Sequence, residues 1–535
     1  MKRYPYSSIK ASHFDQTIGA FDFETKGLGG SLLYASWYVE GEAEPHGIAG
    51  EPQIIVDTLL AVFERYGHSV QWFAHNAQYD WRYILDELLE RYSNSIQFLM
   101  RSESDIFSIQ TETFKLWDSF ALWPHSLKAL AQQFAPEFAK LDIDDIANWN
   151  PNNPEHVAYA LRDSEALVKG LRGYFNSIEM LFEIGPGGTV AATAMKAWSH
   201  TIDSDTKYWP TSSNNEAICR EAYAGGLVGL STIKTKYNVK TYDRNSSYPA
   251  VMLSQPVPEG TAVRTDKIIP DYLGVYQVNV TAPDNLVWPI LHTRNARGSL
   301  LWPRGTFNTT ITSIELDFAL AHGYKLNSVY GGLIWEDKVY PFDDFVNKCM
   351  SARKTYKGKA YEQTVKLIQN SLYGKFGMRH ERCELFVPSN DDETLGAIPW
   401  GDYETVNGKS LWVRTVDDND IRSKVEWAAF ITAGARLALL DIIYRIGPKH
   451  VIYCDTDSIT CDVEFPPEFI DPIEYGQWKL EKSWSEFRAI APKVYVGRYD
   501  KDSVNGTKAG TYYGACKGIR KPNYRQLFAD GFIES

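Results

Sequence analysis

The chain has 535 residues, 44% of them hydrophobic and 14% aromatic, which is enough for large cores and, on length, roughly three or four domains. Its formal net charge of −12 excludes a uniformly basic surface and weighs against a nucleic-acid partner. A single cleft can still be locally positive, and carboxylates that hold cations count as negative in that sum. Met1-Lys2-Arg3 leads into Tyr, Pro and Ser with no apolar h-region, so no signal peptide is expected. The most apolar run, Trp427 to Ile443, is interrupted by Arg436 and Asp441; it reads as a buried helix, and no membrane partner is expected. The six cysteines, at 219, 349, 383, 454, 461 and 516, lack zinc-ligand spacing and point to free thiols in a reducing, cytoplasmic setting.

In chain order, Ile18 to Glu24 (I-G-A-F-D-F-E) reads as a buried strand. Asp22 and Glu24, two apart, share one face of it. In F-A-H-N-A-Q-Y-D, Asn76 and Asp80 stand four apart and share a face if a helix begins there. Pro154-Glu155 opens a helical stretch carrying Tyr159 and Asp163, again at i and i+4. Each pair alone is ordinarily solvated surface. Together and in this order, D-x-E, N-x3-D and Y-x3-D resemble the three motifs of DEDD-type 3′–5′ exonucleases of the Tyr subtype. That resemblance implies that Asp22, Glu24, Asp80 and Asp163 hold two metals and that Tyr159 orients the attacking water. It also implies that Asn76 contacts single-stranded substrate, and that Lys140, in K-L-D-I, contacts the cleaved phosphate. Ser119-Phe120 departs from the Ser/Thr-Leu pair of the family's strand-contact motif.

Glu183 to Val190 (E-I-G-P-G-G-T-V) is a Gly/Pro loop expected to close the first domain. In E-A-Y-A-G-G-L, Gly225-Gly226 is either a plain turn or a backbone that approaches a phosphate chain where a Cβ would intrude. Tyr223-x-Gly225-Gly226 resembles the motif joining the exonuclease and polymerase domains of family B DNA polymerases, where it handles the primer end. Thr241 to Met252 (T-Y-D-R-N-S-S-Y-P-A-V-M) reads as a strand that delivers Asp243 and breaks into a helix, with serines as caps and Pro249 in the first turn. It resembles motif A of that family, D-x-x-S-L-Y-P, with Ser247 where Leu is usual. The match implies Asp243 on both metals, the Arg244 carbonyl as a backbone ligand, and Tyr248 under the incoming sugar.

Residues 350 to 376 are basic and helical, with Lys366, Asn370 and Tyr373 on one stripe. K-L-I-Q-N-S-L-Y-G matches motif B position for position, which implies Lys366 on the triphosphate and Asn370 and Tyr373 at the nascent base pair. Arg353 and Lys357 resemble the additional phosphate-binding pair. Between Gly377 and Glu426 lies a polar stretch, where protein-primed members of the family carry an inserted hairpin near downstream DNA. V-I-Y-C-D-T-D-S-I-T-C-D-V reads as a hairpin with Asp455 and Asp457 at its tip. Alone this is equally a solvated turn or a site for divalent cations with oxygen ligands, magnesium or manganese; it matches motif C. In A-P-K-V-Y-V, Lys493 and Tyr495 fall on one strand face and fit the Lys-x-Tyr motif that contacts the primer.

The motifs run in family order from Asp22 to Lys517, and the chain is identified as a member of the family B DNA polymerases, resembling the protein-primed branch of phages and linear plasmids. The resemblance implies an α/β (α+β multidomain) fold, an RNase H-like exonuclease domain with a right-hand polymerase domain. The expected boundaries are 1–180 for the exonuclease and 181–240 for a linker and the start of the polymerase domain with the Tyr-x-Gly-Gly motif. The palm with motif A and a first insert takes 241–340, the fingers 341–376, and an inserted loop 377–426. The palm with motif C takes 427–484, and the Lys-x-Tyr strand with a small thumb 485–535. The expected cofactor is Mg2+ or Mn2+, two ions per active site. The expected partners are DNA template and primer, dNTPs and a terminal protein. The rivals are a conventional polymerase extending only nucleic-acid primers, and a non-catalytic nucleic-acid-binding module; seven intact carboxylates weigh against the latter.

Overall fold

The structure, a computed structural model, describes residues 2–27, 29–92, 95–102, 105–143, 148–379, 423–501 and 507–516, with the backbone of four further strands between 381 and 421. In the first third, the Thr17–Thr25 strand pairs antiparallel with Leu32–Val39 and parallel with Val70–Ala74, which in turn lies parallel to Lys115–Asp118. Helix Gln78–Tyr92 follows the third of these strands, and its apolar stripe Trp81, Ile84, Leu85 and Leu88 fills the core beside Phe21 and Phe63. The long helix Pro154–Phe182 starts as its sequence predicts, with Pro154 in the first turn and the Asn153 side chain accepting from the Glu155 N–H at 3.0 Å.

The second sheet has seven strands, in the order Val228–Leu230, Val451–Asp455, Ser458–Cys461, Lys236–Arg244, Trp478–Ala491, Val494–Tyr499 and Tyr512–Cys516. Every pairing in it is antiparallel. The apolar run is the helix Val425–Ile446, long and apolar enough to cross a membrane by composition. It is enclosed by protein, with residues in two separate cores and Arg436 buried between them.

Several predicted boundaries shift. Within 181–240, expected as a linker and the start of the next domain, the linker part is short: helices Val190–His200 and Ser213–Ala222 bury Ala194, Ala197, Trp198, Cys219 and Ala222 in the same core as Phe182, Phe345 and Trp427. Trp198 packs edge-on against Phe376 and Trp427, so the first third and the polymerase-like part share a core. Within 241–340, strand Leu273–Ala282 belongs to a four-stranded antiparallel sheet whose buried side chains join one core with Leu439 and Ile442. The stretch 377–426, expected as an inserted loop, carries strands. Glu381–Phe386, Ser410–Asp417 and Gly401–Glu404 are paired strands that extend the first sheet through Cys383 and Met100. Strand Trp478–Ala491 already belongs to the motif C sheet, Val494–Tyr499 and Tyr512–Cys516 continue that sheet, and 517–535 of the expected thumb lies outside the described residues.

Among the described residues, Cys219, Cys349, Cys454, Cys461 and Cys516 are free thiols.

Candidate active sites

Two carboxylate sets form, one on each sheet. In the first, the strand places Asp22 and Glu24 on one face, and one turn of the long helix stacks Asp163 above Tyr159. Oxygens of Asp22, Glu24 and Asp163 all lie within 4.8 Å of one another. Burial and the facing Asp163 push the Asp22 carboxyl up to about 7; burial, Asp22 and Asp163 push Glu24 up to about 9. Asp163 Oδ1 is buried with no hydrogen-bond partner. Clustered, buried, mutually repelling oxygens with one orphaned lone pair fit a divalent cation. Asp80 stands outside this tight set: Oδ1 accepts from the Phe23 N–H at 3.3 Å, between the two strand acids, and burial with Asp22 raises its carboxyl. Lys140 is ion-paired to Asp163 and lies 4.6 Å from the centre of the Tyr159 ring.

Asn76 is not on a helix face with Asp80. The helix starts at Gln78, and Asn76 sits before it with φ 61°, its N–H donating to Asp118 Oδ1 at 3.0 Å. An i, i+4 spacing cannot distinguish a helix from a left-handed turn that precedes one. The side chain is exposed, as a substrate contact requires. Ser119 is buried and donates to the Ala74 carbonyl at 2.9 Å, while Phe120 is exposed.

The raised carboxyls fix a sign. A carboxyl whose folded pKa exceeds its unfolded value stabilises the fold below the unfolded pKa and loses that contribution as pH rises through the folded value. For Asp22 the window runs from about 4 to about 7. Asp22→Asn is therefore expected to raise the Tm of metal-free protein at pH 8 and to leave it near wild type at pH 4, in paired thermal melts. Equal shifts at both pH values would contradict it.

In the second set, Asp243 ends one strand and pairs in register with Ser458, the first residue of the hairpin's return strand. The hairpin turn is tight: Thr456 has φ 61° and the Asp457 N–H donates to the Asp455 carbonyl at 2.6 Å. The Arg244 N–H donates to the Asp457 carbonyl at 2.8 Å, which locks the two motifs together. Burial, Asp243 and Asp455 push Asp457 up to about 7, and burial raises Asp243.

These acids open on a cleft of about 340 Å3 lined by both signs of charge: Asp243 and Asp457 against Arg244, Arg353, Lys366 and Lys479. Tyr248 and Tyr373 stack in its wall, centroids 4.0 Å apart and planes at 18°. Asn370 also lines it, on the helix Ala360–Phe376 as its spacing predicts. Lys366 is held by Glu362 at 3.0 Å. Lys357 does not line the cleft; the preceding helix ends at Thr355, and Lys357 is exposed in the turn beyond it. Ser246 does not cap its helix. It takes φ 46°, and its hydroxyl accepts from Arg353 and from Gln369 Nε2. The Arg244 guanidinium braces the turn through Gly476 O at 2.9 Å and Ser247 Oγ at 3.1 Å.

Asp455 is not among the residues lining the cleft and binds Lys493 Nζ at 2.6 and 2.8 Å. Lys493 is not on the strand with Tyr495. It occupies the left-handed turn before Val494, with φ 61°, and Tyr495 packs on Tyr453. The Tyr223–Gly226 segment leads into the strand beside the hairpin. A Cβ on Gly226 would lie 2.6 Å from Thr456 Oγ1, so only glycine lets this segment sit against the turn; the space at Gly225 is open.

Sequence reasoning missed Lys479, Gln369 and the partner of Arg436. Gln369 accepts from the Tyr475 hydroxyl at 2.6 Å, and Arg436 ion-pairs with buried Glu315. Motif B contains Gln369 at a variable position, and Arg436 showed only as a break in an apolar run.

Residues 153–474 match the family described as DNA polymerase type B, organellar and viral. A probable DNA polymerase of Neurospora intermedia is 30% identical over 404 residues, 70% of this chain and 41% of that protein. The DNA polymerase of Bacillus phage Nf is 25% identical over 516 residues, 90% of this chain and 82% of the phage protein. The chain thus spans about two fifths of the fungal relative and most of the phage one. Phi29 DNA polymerase, solved with primer-template DNA and incoming nucleotide substrates, has the same fold at a TM-score of 0.79 and 20% identity, covering 98% of this chain and 95% of that one.

Proposed function

The chain belongs to the organellar and viral type B DNA polymerases, and we propose that it copies a DNA template from dNTPs by protein-primed synthesis and edits the product with a 3′–5′ exonuclease. The observation that carries this is the cleft in which Asp243 and Asp457 face Lys366, Arg353 and the stacked Tyr248–Tyr373 pair.

Asp243, Asp457 and the Arg244 carbonyl are the residues that would hold two divalent ions, Mg2+ or Mn2+, with Asp455 beside them. When bound, such ions supply an activated primer 3′-hydroxyl and charge stabilisation on the triphosphate. Lys366 and Arg353 attract the phosphates. Tyr248 walls the sugar site, braced from behind by Tyr373, and Asn370 faces the new base pair. The Tyr223-Ala224-Gly225-Gly226 backbone and the Lys493–Tyr495 turn hold the primer. In the other site Asp22, Glu24 and Asp163, with Asp80 alongside, bind the ions for hydrolysis. Tyr159 orients the water, Lys140 answers the charge on the cleaved phosphate, and Asn76 holds the single strand. The proposed setting is the reducing cytoplasm of a host cell, which the free thiols suit.

Tyr248→Val should relax sugar selection about 10- to 100-fold, since the rigid ring is what a 2′-hydroxyl would strike. Single ribonucleotide insertion on a primed template reads this, and unchanged discrimination would put the gate elsewhere. Priming is tested by incubating the enzyme, the products of neighbouring genes and each labelled dNTP in turn. A labelled protein–nucleotide adduct is expected, and its absence with every combination, from enzyme that extends a DNA primer, would remove the priming claim.

A further inference from the structure

Lys479 has no role in any motif, yet it is placed against the central carboxylate of the polymerase cleft. The strand Trp478–Ala491 sets it directly opposite Asp243 in register. Its Nζ lies 2.9 Å from Asp243 Oδ2 and 3.0 Å from Asn245 Oδ1. The other cations lining the cleft are engaged elsewhere: Lys366 with Glu362, Arg353 with Ser246 and the Tyr475 ring, Arg244 with Gly476 and Ser247. Among the described lining residues, Lys479 is the one ion-paired to a carboxylate of the metal set. Its side chain is 38% exposed, on a flexible stem that can leave.

We infer that Lys479 is a positioning residue for divalent-ion entry: its ammonium occupies Asp243 in the nucleotide-free enzyme and passes to the triphosphate when nucleotide and ion arrive together. The inference rests on the polymerase function proposed above. An ammonium on Asp243 Oδ2 repels a divalent cation brought to the same carboxylate, so a bare ion must first displace Lys479 and leave it without a counter-charge. A nucleotide-borne ion brings phosphate oxygens into the same cleft, and these give the ammonium somewhere to go. Lys479 thus keeps the site weak for ions alone and couples their arrival to substrate.

The test uses the full chain carrying Asp22→Asn, Glu24→Gln, Asp80→Asn and Asp163→Asn, which removes the four exonuclease carboxylates, and follows Mn2+ binding by electron paramagnetic resonance without nucleotide. Lys479→Met and Lys479→Gln should each bind Mn2+ about tenfold more tightly. Lys479→Arg, which keeps the cation, should bind as the parent does. In steady-state extension Lys479→Met should raise KM for dNTP far more than it lowers kcat. Unchanged Mn2+ affinity in both neutral variants overturns the inference. A parent whose Mn2+ binding survives Asp243→Asn undiminished would instead overturn the assignment of the metal site itself.

Discussion

Asp457→Asn is expected to lower nucleotide addition at least about a thousandfold and to leave single-strand degradation within about twofold of wild type, with Asp22→Ala doing the reverse. The asymmetry follows from where the acids sit. Asp457 lies at the tip of a hairpin in the antiparallel sheet, wedged between Asp243 and Asp455, and repulsion from both adds to burial in raising its carboxyl. Asn keeps the shape and removes the charge that two cations need. Asp22 belongs to a different sheet, where its charged neighbours are Glu24, Asp163, Asp80 and Lys140. The two parts share a core through Trp198, Phe376 and the long helix, so a melt of each variant must precede the assays. A folded variant of either kind that loses both activities would falsify the two-site assignment.

The carboxylates were legible because strand and helix periodicities are short-range. Asp22 and Glu24 two apart, and Tyr159 and Asp163 four apart, need only one element each to converge. The motif C hairpin was legible for the same reason. What failed were positions where the backbone turns left-handed. Asn76, Ser246 and Lys493 all have positive φ without being glycine. Propensity gives no warning of this at serine or lysine, because tertiary contacts hold the turn. Lys493 therefore read as a strand residue and Ser246 as a cap. Lys479 was invisible for another reason: its meaning lies in cross-strand register with Asp243, 236 positions earlier in the sequence. Boundaries failed where apolar helices such as Val190–His200 looked like connection and proved to be core.

Arg436→Met should cost about 3–5 kcal/mol of stability, since it strands a buried charge. Arg436 and Glu315 are each 1% exposed. The guanidinium donates to Glu315 Oε1 at 2.6 and 3.2 Å, and to the carbonyls of Ala224 and, at 2.9 Å, Gly225. Burial works to raise the Glu315 carboxyl, but Arg436 outweighs it and holds the group below its ordinary value. His292 lies 3.7 Å away, and with Arg436 in place burial pushes its imidazole down to about 4, so it is neutral at pH 7 in the wild-type protein. Without Arg436 the Glu315 carboxyl should rise above its unfolded value, and the sign of linkage reverses. The deficit should then be smaller at pH 5 than at pH 8, and Glu315→Gln on top of Arg436→Met should recover part of it. Equal deficits at the two pH values would mean that lost packing, not a stranded carboxylate, sets the cost. The same substitution frees the carbonyls that hold the Tyr223–Gly226 segment, whose Gly226 rests on Thr456 between Asp455 and Asp457. Nucleotide addition in folded Arg436→Met should therefore fall with primer affinity, while degradation of single strands persists, because the carboxylates proposed for hydrolysis, Asp22, Glu24 and Asp163, sit on the other sheet and the long helix.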